Sequence, residues 1–86
     1  MVSSRVVLAN PQGLHLRPAT TLAGMMCDYP CTVRLVFGSA DVDAKSPLSL
    51  AGLSLEQGCE VEFRCDGERE DEALAAAVDL FLNNMD

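Results

Sequence analysis

The chain has 86 residues, the length of one domain, and its apolar fraction of 49% is ordinary for a globular protein. Thirteen Asp and Glu against six Lys and Arg give a net charge of −7, which argues against nucleic-acid binding because that needs clustered cations. No apolar run approaches the ~18–20 residues of a membrane helix, and no secretory segment precedes the first predicted strand. We therefore expect one cytoplasmic domain over residues 1–86, without membrane insertion.

The first third of the chain predicts a strand, a loop and a helix. Residues 4–9 alternate between apolar and polar positions, as a strand does. Residues 10–13, Asn-Pro-Gln-Gly, are typical of a loop. Residues 16–28 are predicted to form a helix, which ends before Pro30 because the residue preceding a proline avoids helical backbone. The apolar stripe of this helix repeats at i, i+3, i+4 and i+7: Ala19, Leu22, Ala23 and Met26.

The middle of the chain predicts a hairpin and a short helix. Residues 31–37 and 40–45 are predicted strands, joined by a tight turn at Gly38. Ser46 followed by proline is typical of a helix start, with serine at the N-cap and proline at the first helical position. This short helix is predicted to continue through Ala51 and to end before the next glycine.

The last third predicts one strand and one longer helix. Residues 59–65 alternate strictly, with Cys59, Val61, Phe63 and Cys65 on one face. The final helix is predicted over residues 69–83, and its acidic first turn complements the helix dipole. Its predicted buried stripe is Leu74, Ala77, Val78 and Phe81.

The element order β-α-β-β-α-β-α predicts an α+β fold of two layers, with all three helices on one face of one sheet. The opposite face carries polar side chains and is expected to meet solvent: Arg5, Thr32, Arg34, Asp41, Asp43, Glu60, Glu62 and Arg64.

Four cysteines raise the question of metal or redox chemistry. Cys27 and Cys31 are separated by three residues, whereas redox motifs and zinc ribbons use two, and a structural zinc site needs about four ligands. Cytosolic thiols stay reduced, and alternation places Cys31, Cys59 and Cys65 in or near the core. We expect no metal site, although a small thiol or metal protein stays as an alternative.

The candidate site is the stretch Gly13-Leu14-His15-Leu16-Arg17-Pro18-Ala19, which holds the only histidine. A helix that begins at Leu16 points backbone N–H groups without intrahelical acceptors toward His15, and its dipole favours an anion there. Arg17 adds a guanidinium suited to phosphate oxygens, and residues 1–27 contain no Asp or Glu. The stretch therefore predicts an imidazole at an anion site. The alternative is a helix-cap histidine in a surface loop.

This stretch resembles the active-site signature of HPr, the histidine phosphocarrier of the bacterial phosphoenolpyruvate phosphotransferase system. The usual signature is Gly-hydrophobic-His-Ala-Arg-Pro-Ala, so Leu16 replaces a small residue. The 86-residue length and Lys45-Ser46, at the family's regulatory serine, extend the likeness over the whole chain. The resemblance implies an open-faced β-sandwich whose four-stranded antiparallel sheet has the order 1-4-2-3.

The resemblance also implies the roles of the site residues. His15 would accept the phosphoryl group on Nδ1, and Arg17 would balance the phosphate charge. The backbone N–H groups of Leu16 and Arg17 would bind the phosphoryl oxygens. No cofactor and no metal are implied. Ser46 would be the site of regulatory phosphorylation by an HPr kinase/phosphorylase.

The implied partners are enzyme I, which donates the phosphoryl group, and enzyme IIA-type domains, which accept it. A monomer is expected, because transient encounters use small interfaces. The residues implied in docking are Thr20, Pro47, Leu48 and Ala51.

Several positions depart from the sugar-system pattern. Gln12 replaces the usual Ser or Asn, Pro47 replaces a bulky apolar residue, and three frequent lysine positions hold Gly24, Cys27 and Ser49. These features resemble the nitrogen-related branch, NPr, and leave sugar uptake and regulation both open. A further alternative is a regulatory binding module that acts through the Ser46 site.

Overall fold

A computed structural model describes residues 1–83 and contains seven elements in the predicted order. The strands are β1 (Val2–Val7), β2 (Thr32–Phe37), β3 (Ala40–Asp43) and β4 (Glu60–Asp66). The helices are α1 (Leu16–Met26), α2 (Pro47–Ala51) and α3 (Glu70–Leu82). Within residues 1–83, no helix has the length and apolarity required to cross a membrane.

The four strands form one antiparallel sheet in the order β1-β4-β2-β3, which confirms the predicted fold. Its central strand β4 pairs with β1 on one side, for example Val6 with Val61, and with β2 on the other, for example Leu35 with Phe63. These side chains are buried, and α3 packs against β1 and β4 while α1 packs against α2 and α3. The helices thus form one layer over the sheet.

The buried stripe of α1 is the predicted one, since Ala19, Leu22, Ala23 and Met26 are fully buried. The stripe of α3 differs from the prediction. Ala73, Ala77 and Phe81 are buried, whereas Leu74 and Val78 are only half-buried. Ala73 is completely buried and belongs to the hydrophobic core. Near the end of α3, the Phe81 ring meets the Phe63 ring edge to face, with centroids 5.0 Å apart.

Element ends differ from the prediction where pairing or turns decide them. β1 begins at Val2, because this residue pairs with Cys65, and it ends at Val7, which pairs with Glu60, the first residue of β4. α1 ends at Met26 rather than residue 28, because the amide of Asp28 bonds to a carbonyl three residues back. β3 ends at Asp43, whose carboxylate accepts a hydrogen bond from the Lys45 amide in a turn. The predicted end of the final helix at residue 83 lies one residue past the observed Leu82.

The four thiols differ in exposure. Cys31 and Cys65 are buried, Cys59 is half-buried and Cys27 is exposed. Burial raises the pKa of the Cys65 thiol to about 11, and the neighbouring Cys31 adds to the rise. Within residues 1–83, no group of three or more His, Cys, Asp and Glu is arranged to hold a metal ion.

This arrangement predicts an order of thiol reactivity in the native protein. A disulfide reagent such as dithionitrobenzoate should modify Cys27 first, and Cys31 and Cys65 only after unfolding, because both of these thiols are buried and the raised pKa of Cys65 also reduces its thiolate. Peptide mapping after timed labelling measures the order. In the control variant Cys27→Ser the fast phase should disappear, and fast native labelling of Cys65 would contradict the prediction.

Candidate functional site

His15 lies at the N-cap of α1. Its backbone is extended, with φ −82° and ψ −174°, and its carbonyl accepts the hydrogen bond from the Ala19 amide at 3.0 Å. Its exposed side chain makes no capping hydrogen bond to the helix. The imidazole is therefore held at the positive end of an 11-residue helix without being used to close it.

The first turn of α1 offers few backbone donors. Leu16 and Arg17 are its first two residues, and their N–H groups have no intrahelical acceptor. Pro18, the third, has no N–H, and the Ala19 amide is already bonded to His15. The helix thus directs just two N–H groups toward an anion at its start, from the residues predicted to bind the phosphoryl oxygens.

An open cavity surrounds the imidazole, lined by Gln12, His15, Leu16, Arg17, Thr20 and Thr21. Arg17 is the one cationic residue in this lining, and α1 has no acidic residue in its first turn. The Thr20 and Thr21 hydroxyls donate to carbonyls four residues back, so they form a rim attached to the helix. A site this open excludes little water by itself, so a docked partner would have to close it.

The loop before His15 is fixed by backbone geometry. Gly13 has φ +73°, and a Cβ atom built on it would lie 2.3 Å from the Leu55 carbonyl oxygen. The next amide, of Leu14, donates to that same oxygen at 3.0 Å, and the Leu14 side chain is 1% exposed. Any residue with a Cβ atom at position 13, alanine included, would force this arrangement to shift.

Sequence reasoning missed two supports of this loop. Leu14 is not among the predicted core residues and Asn10 is predicted only as a loop residue, whereas both are buried. The Asn10 side-chain amide donates to the Gly13 carbonyl at 2.8 Å. The available signal was the Asn-Pro-x-Gly turn pattern, because asparagine side chains often bond to backbone groups within such turns.

The second predicted site is the start of α2. Ser46 is its N-cap, and the side-chain oxygen accepts from the Ser49 amide at 3.4 Å. Leu48 is 78% exposed, whereas Pro47 and Ala51 are half-buried and Ala51 packs against the core. α1 packs against α2, and Leu16 of α1 and Leu48 of α2 are both exposed. Of the residues predicted for docking, Thr20 and Leu48 are the exposed ones.

The Ser46 cap is testable through stability. We expect Ser46→Ala to lower the free energy of unfolding by about 0.5–1 kcal/mol, the low end of the range for caps because the hydrogen bond is long. Ser46→Asp should restore most of this loss, because a carboxylate caps equally well and complements the helix dipole. Urea unfolding measures both variants against Ser49→Ala, which keeps the cap. A stability loss in Ser46→Asp larger than in Ser46→Ala would contradict the capping role.

Comparison with known proteins gives a consistent set of relatives. Residues 2–83 match the family model described as the PTS HPr component phosphorylation site. The phosphocarrier protein HPr of Pseudomonas aeruginosa is 36% identical over 87 residues, which cover 100% of this chain and 97% of that protein. The phosphocarrier protein NPr of Klebsiella oxytoca is 35% identical, with 99% and 96% covered.

The fold of this chain is also similar to that of a solved structure. HPr-C-His from Thermoanaerobacter tengcongensis has a TM-score of 0.89 and 30% identity, and the match covers 94% of this chain and 91% of that one.

Proposed function

Because the chain belongs to the HPr family of phosphocarrier proteins of the phosphotransferase system, we propose that His15 is the residue that carries the phosphoryl group. One observation supports this most strongly. The imidazole stands at the N-terminal end of α1, in the same cavity as the Arg17 guanidinium and beside two helix amides without intrahelical acceptors. A dianionic group bonded to the imidazole would meet this positive potential.

The transfer is a direct displacement. The Nδ1 lone pair of neutral His15 attacks phosphorus, and the bond between phosphorus and the donor enzyme breaks as the P–Nδ1 bond forms. The N–H groups of Leu16 and Arg17 donate to the phosphoryl oxygens, and the Arg17 guanidinium balances their charge. The nucleophile of the next acceptor attacks the same phosphorus. The P–Nδ1 bond breaks, and its electron pair returns to Nδ1 of His15. The partner enzymes supply the remaining groups and exclude water.

The proposed donor is enzyme I, itself phosphorylated by phosphoenolpyruvate, and the proposed acceptors are enzyme IIA-type domains in the cytoplasm. Both would dock on the surface formed by α1 and α2, through Thr20, Pro47, Leu48 and Ala51. Which IIA-type domain accepts the phosphoryl group decides between sugar uptake and regulation. The protein would act as a monomeric single domain, and Ser46 would be the target of an HPr kinase/phosphorylase.

The proposal is tested by incubating the protein with phosphoenolpyruvate and a purified enzyme I and measuring its intact mass. We expect the mass of one added phosphoryl group, lost again in acid as expected for a phosphohistidine. An acid-stable adduct would contradict the proposal. A cellular effect that is lost in Ser46→Ala but kept in His15→Ala would favour the regulatory binding module instead.

The Arg17 role gives a graded prediction. We expect Arg17→Gln to slow phosphorylation by enzyme I about tenfold to hundredfold, because a charge-assisted donor to the phosphoryl oxygens is lost. Arg17→Lys should lose less, since the charge remains while the fork geometry does not. Quenched-flow measurement of the adduct gives the rates. The matched control is Arg5→Gln, an exposed arginine on the open sheet face, which should keep the wild-type rate. Equal rates for Arg17→Gln and Arg5→Gln would contradict this role.

A further inference from the structure

Asn10 is a buried polar residue close to the site. It is 1% exposed, and within residues 1–83 it is the one polar residue that is buried. Burying an amide costs free energy unless its donors and acceptors are hydrogen-bonded. The contacts that Asn10 makes therefore show what its burial achieves.

Asn10 and Gly13 are joined by two hydrogen bonds in opposite directions. The Asn10 side-chain Nδ2 donates to the Gly13 carbonyl at 2.8 Å, and the Gly13 amide donates to the Asn10 backbone carbonyl at 3.0 Å. The four-residue turn is thus closed by both a backbone and a side-chain bond. This double closure holds Gly13 at its positive φ of +73°.

The closed turn is connected to His15 by one residue, Leu14. The Leu14 amide donates to the Leu55 carbonyl at 3.0 Å, and its side chain is buried. His15 then accepts the first helical hydrogen bond of α1. Residues 13 to 15 thus each have a hydrogen-bonded backbone partner, which leaves the backbone between the turn and His15 little freedom to compensate for a change in the turn.

We propose that Asn10 is a positioning residue for phosphoryl transfer, an inference that rests on the proposed function of His15. Its side-chain amide fixes the carbonyl of Gly13, and through Gly13 and Leu14 it sets where the His15 ring stands relative to the start of α1. Asn10 lines no part of the cavity around His15, so it acts through the loop and not on the phosphoryl group.

The test separates positioning from folding. Asn10→Ala removes the side-chain amide, and Asn10→Leu removes it while filling nearly the same volume. We expect both variants to lower kcat for phosphorylation by enzyme I about tenfold, since small displacements of a reacting group are costly. KM should stay within about twofold, because the exposed docking residues Thr20 and Leu48 are unchanged. The stability control is Val33→Ala, in the core of β2, which should keep the wild-type kcat.

The outcomes are distinct from those of the proposed function. All variants are compared at a temperature where circular dichroism shows each one folded. Wild-type kcat in Asn10→Leu, or an equal loss of kcat in Val33→Ala, would overturn the positioning role while leaving His15 as the acceptor. Failure of the wild-type protein itself to accept a phosphoryl group would instead overturn the proposed function and this inference together.

Discussion

Replacement of His15 by alanine is expected to abolish phosphoryl acceptance and to leave the fold intact. The imidazole is the proposed nucleophile, and alanine offers no atom that could form the bond to phosphorus. The side chain is exposed and does not cap α1, so the free energy of unfolding should change by less than about 1 kcal/mol. Intact mass after incubation with phosphoenolpyruvate and enzyme I measures acceptance, and urea unfolding measures stability.

One control variant makes this result specific. Gln12→Ala changes the same cavity without removing the nucleophile, so it should still accept a phosphoryl group. An adduct on His15→Ala would show that another residue is the acceptor, and peptide mapping would locate it. The exposed Cys27 thiol and the Ser46 hydroxyl are the first positions to inspect.

The second large effect is expected for Gly13→Ala. A left-handed backbone costs a residue with a Cβ about 1–2 kcal/mol, and here the new Cβ would also lie 2.3 Å from the Leu55 carbonyl oxygen. That oxygen belongs to backbone and already accepts the Leu14 amide, so it cannot rotate away. We expect the free energy of unfolding to fall by about 2–4 kcal/mol, and phosphorylation of the folded fraction to slow because His15 moves with the loop.

Gly38→Ala is the matched control for this variant. Gly38 also has a positive φ, +60°, but a Cβ there would meet nothing within 4 Å. It should therefore show only the conformational cost, about 1–2 kcal/mol, with an unchanged phosphorylation rate. Urea unfolding of both variants gives the difference. Equal destabilisation would contradict the close approach of the loop to Leu55.

Much of the fold follows from short-range pattern. The α1 stripe was predictable because four apolar residues repeat at helical spacing over a stretch with clear end signals. The strand ends were less predictable, because β1 begins at Val2, which pairs with Cys65, far along the chain. In α3, several apolar residues compete for the core, and only packing decides that Ala73 is buried more fully than Leu74.

In the candidate site, too, the features set by local sequence were predictable and those set by long-range contacts were not. His15 and Arg17 lie two residues apart at a helix start, so their placement around one cavity follows from local geometry. The strand order is implied by the family resemblance rather than by periodicity, and the structure confirms it. The attachment of Gly13 and Leu14 to Leu55 was not predictable, because it joins segments about forty residues apart. The chemical roles of His15 and Arg17 stay predictions.

Nuclear magnetic resonance of the phosphorylated protein, labelled with nitrogen-15, locates the atom that carries the phosphoryl group. We predict a phosphorus–nitrogen coupling at Nδ1 of His15, together with large shifts of the Leu16 and Arg17 amide signals as these groups donate to the phosphoryl oxygens. A phosphoryl group on Nε2 or on another residue would contradict the account. Unchanged Leu16 and Arg17 amides would contradict the anion site at the start of α1.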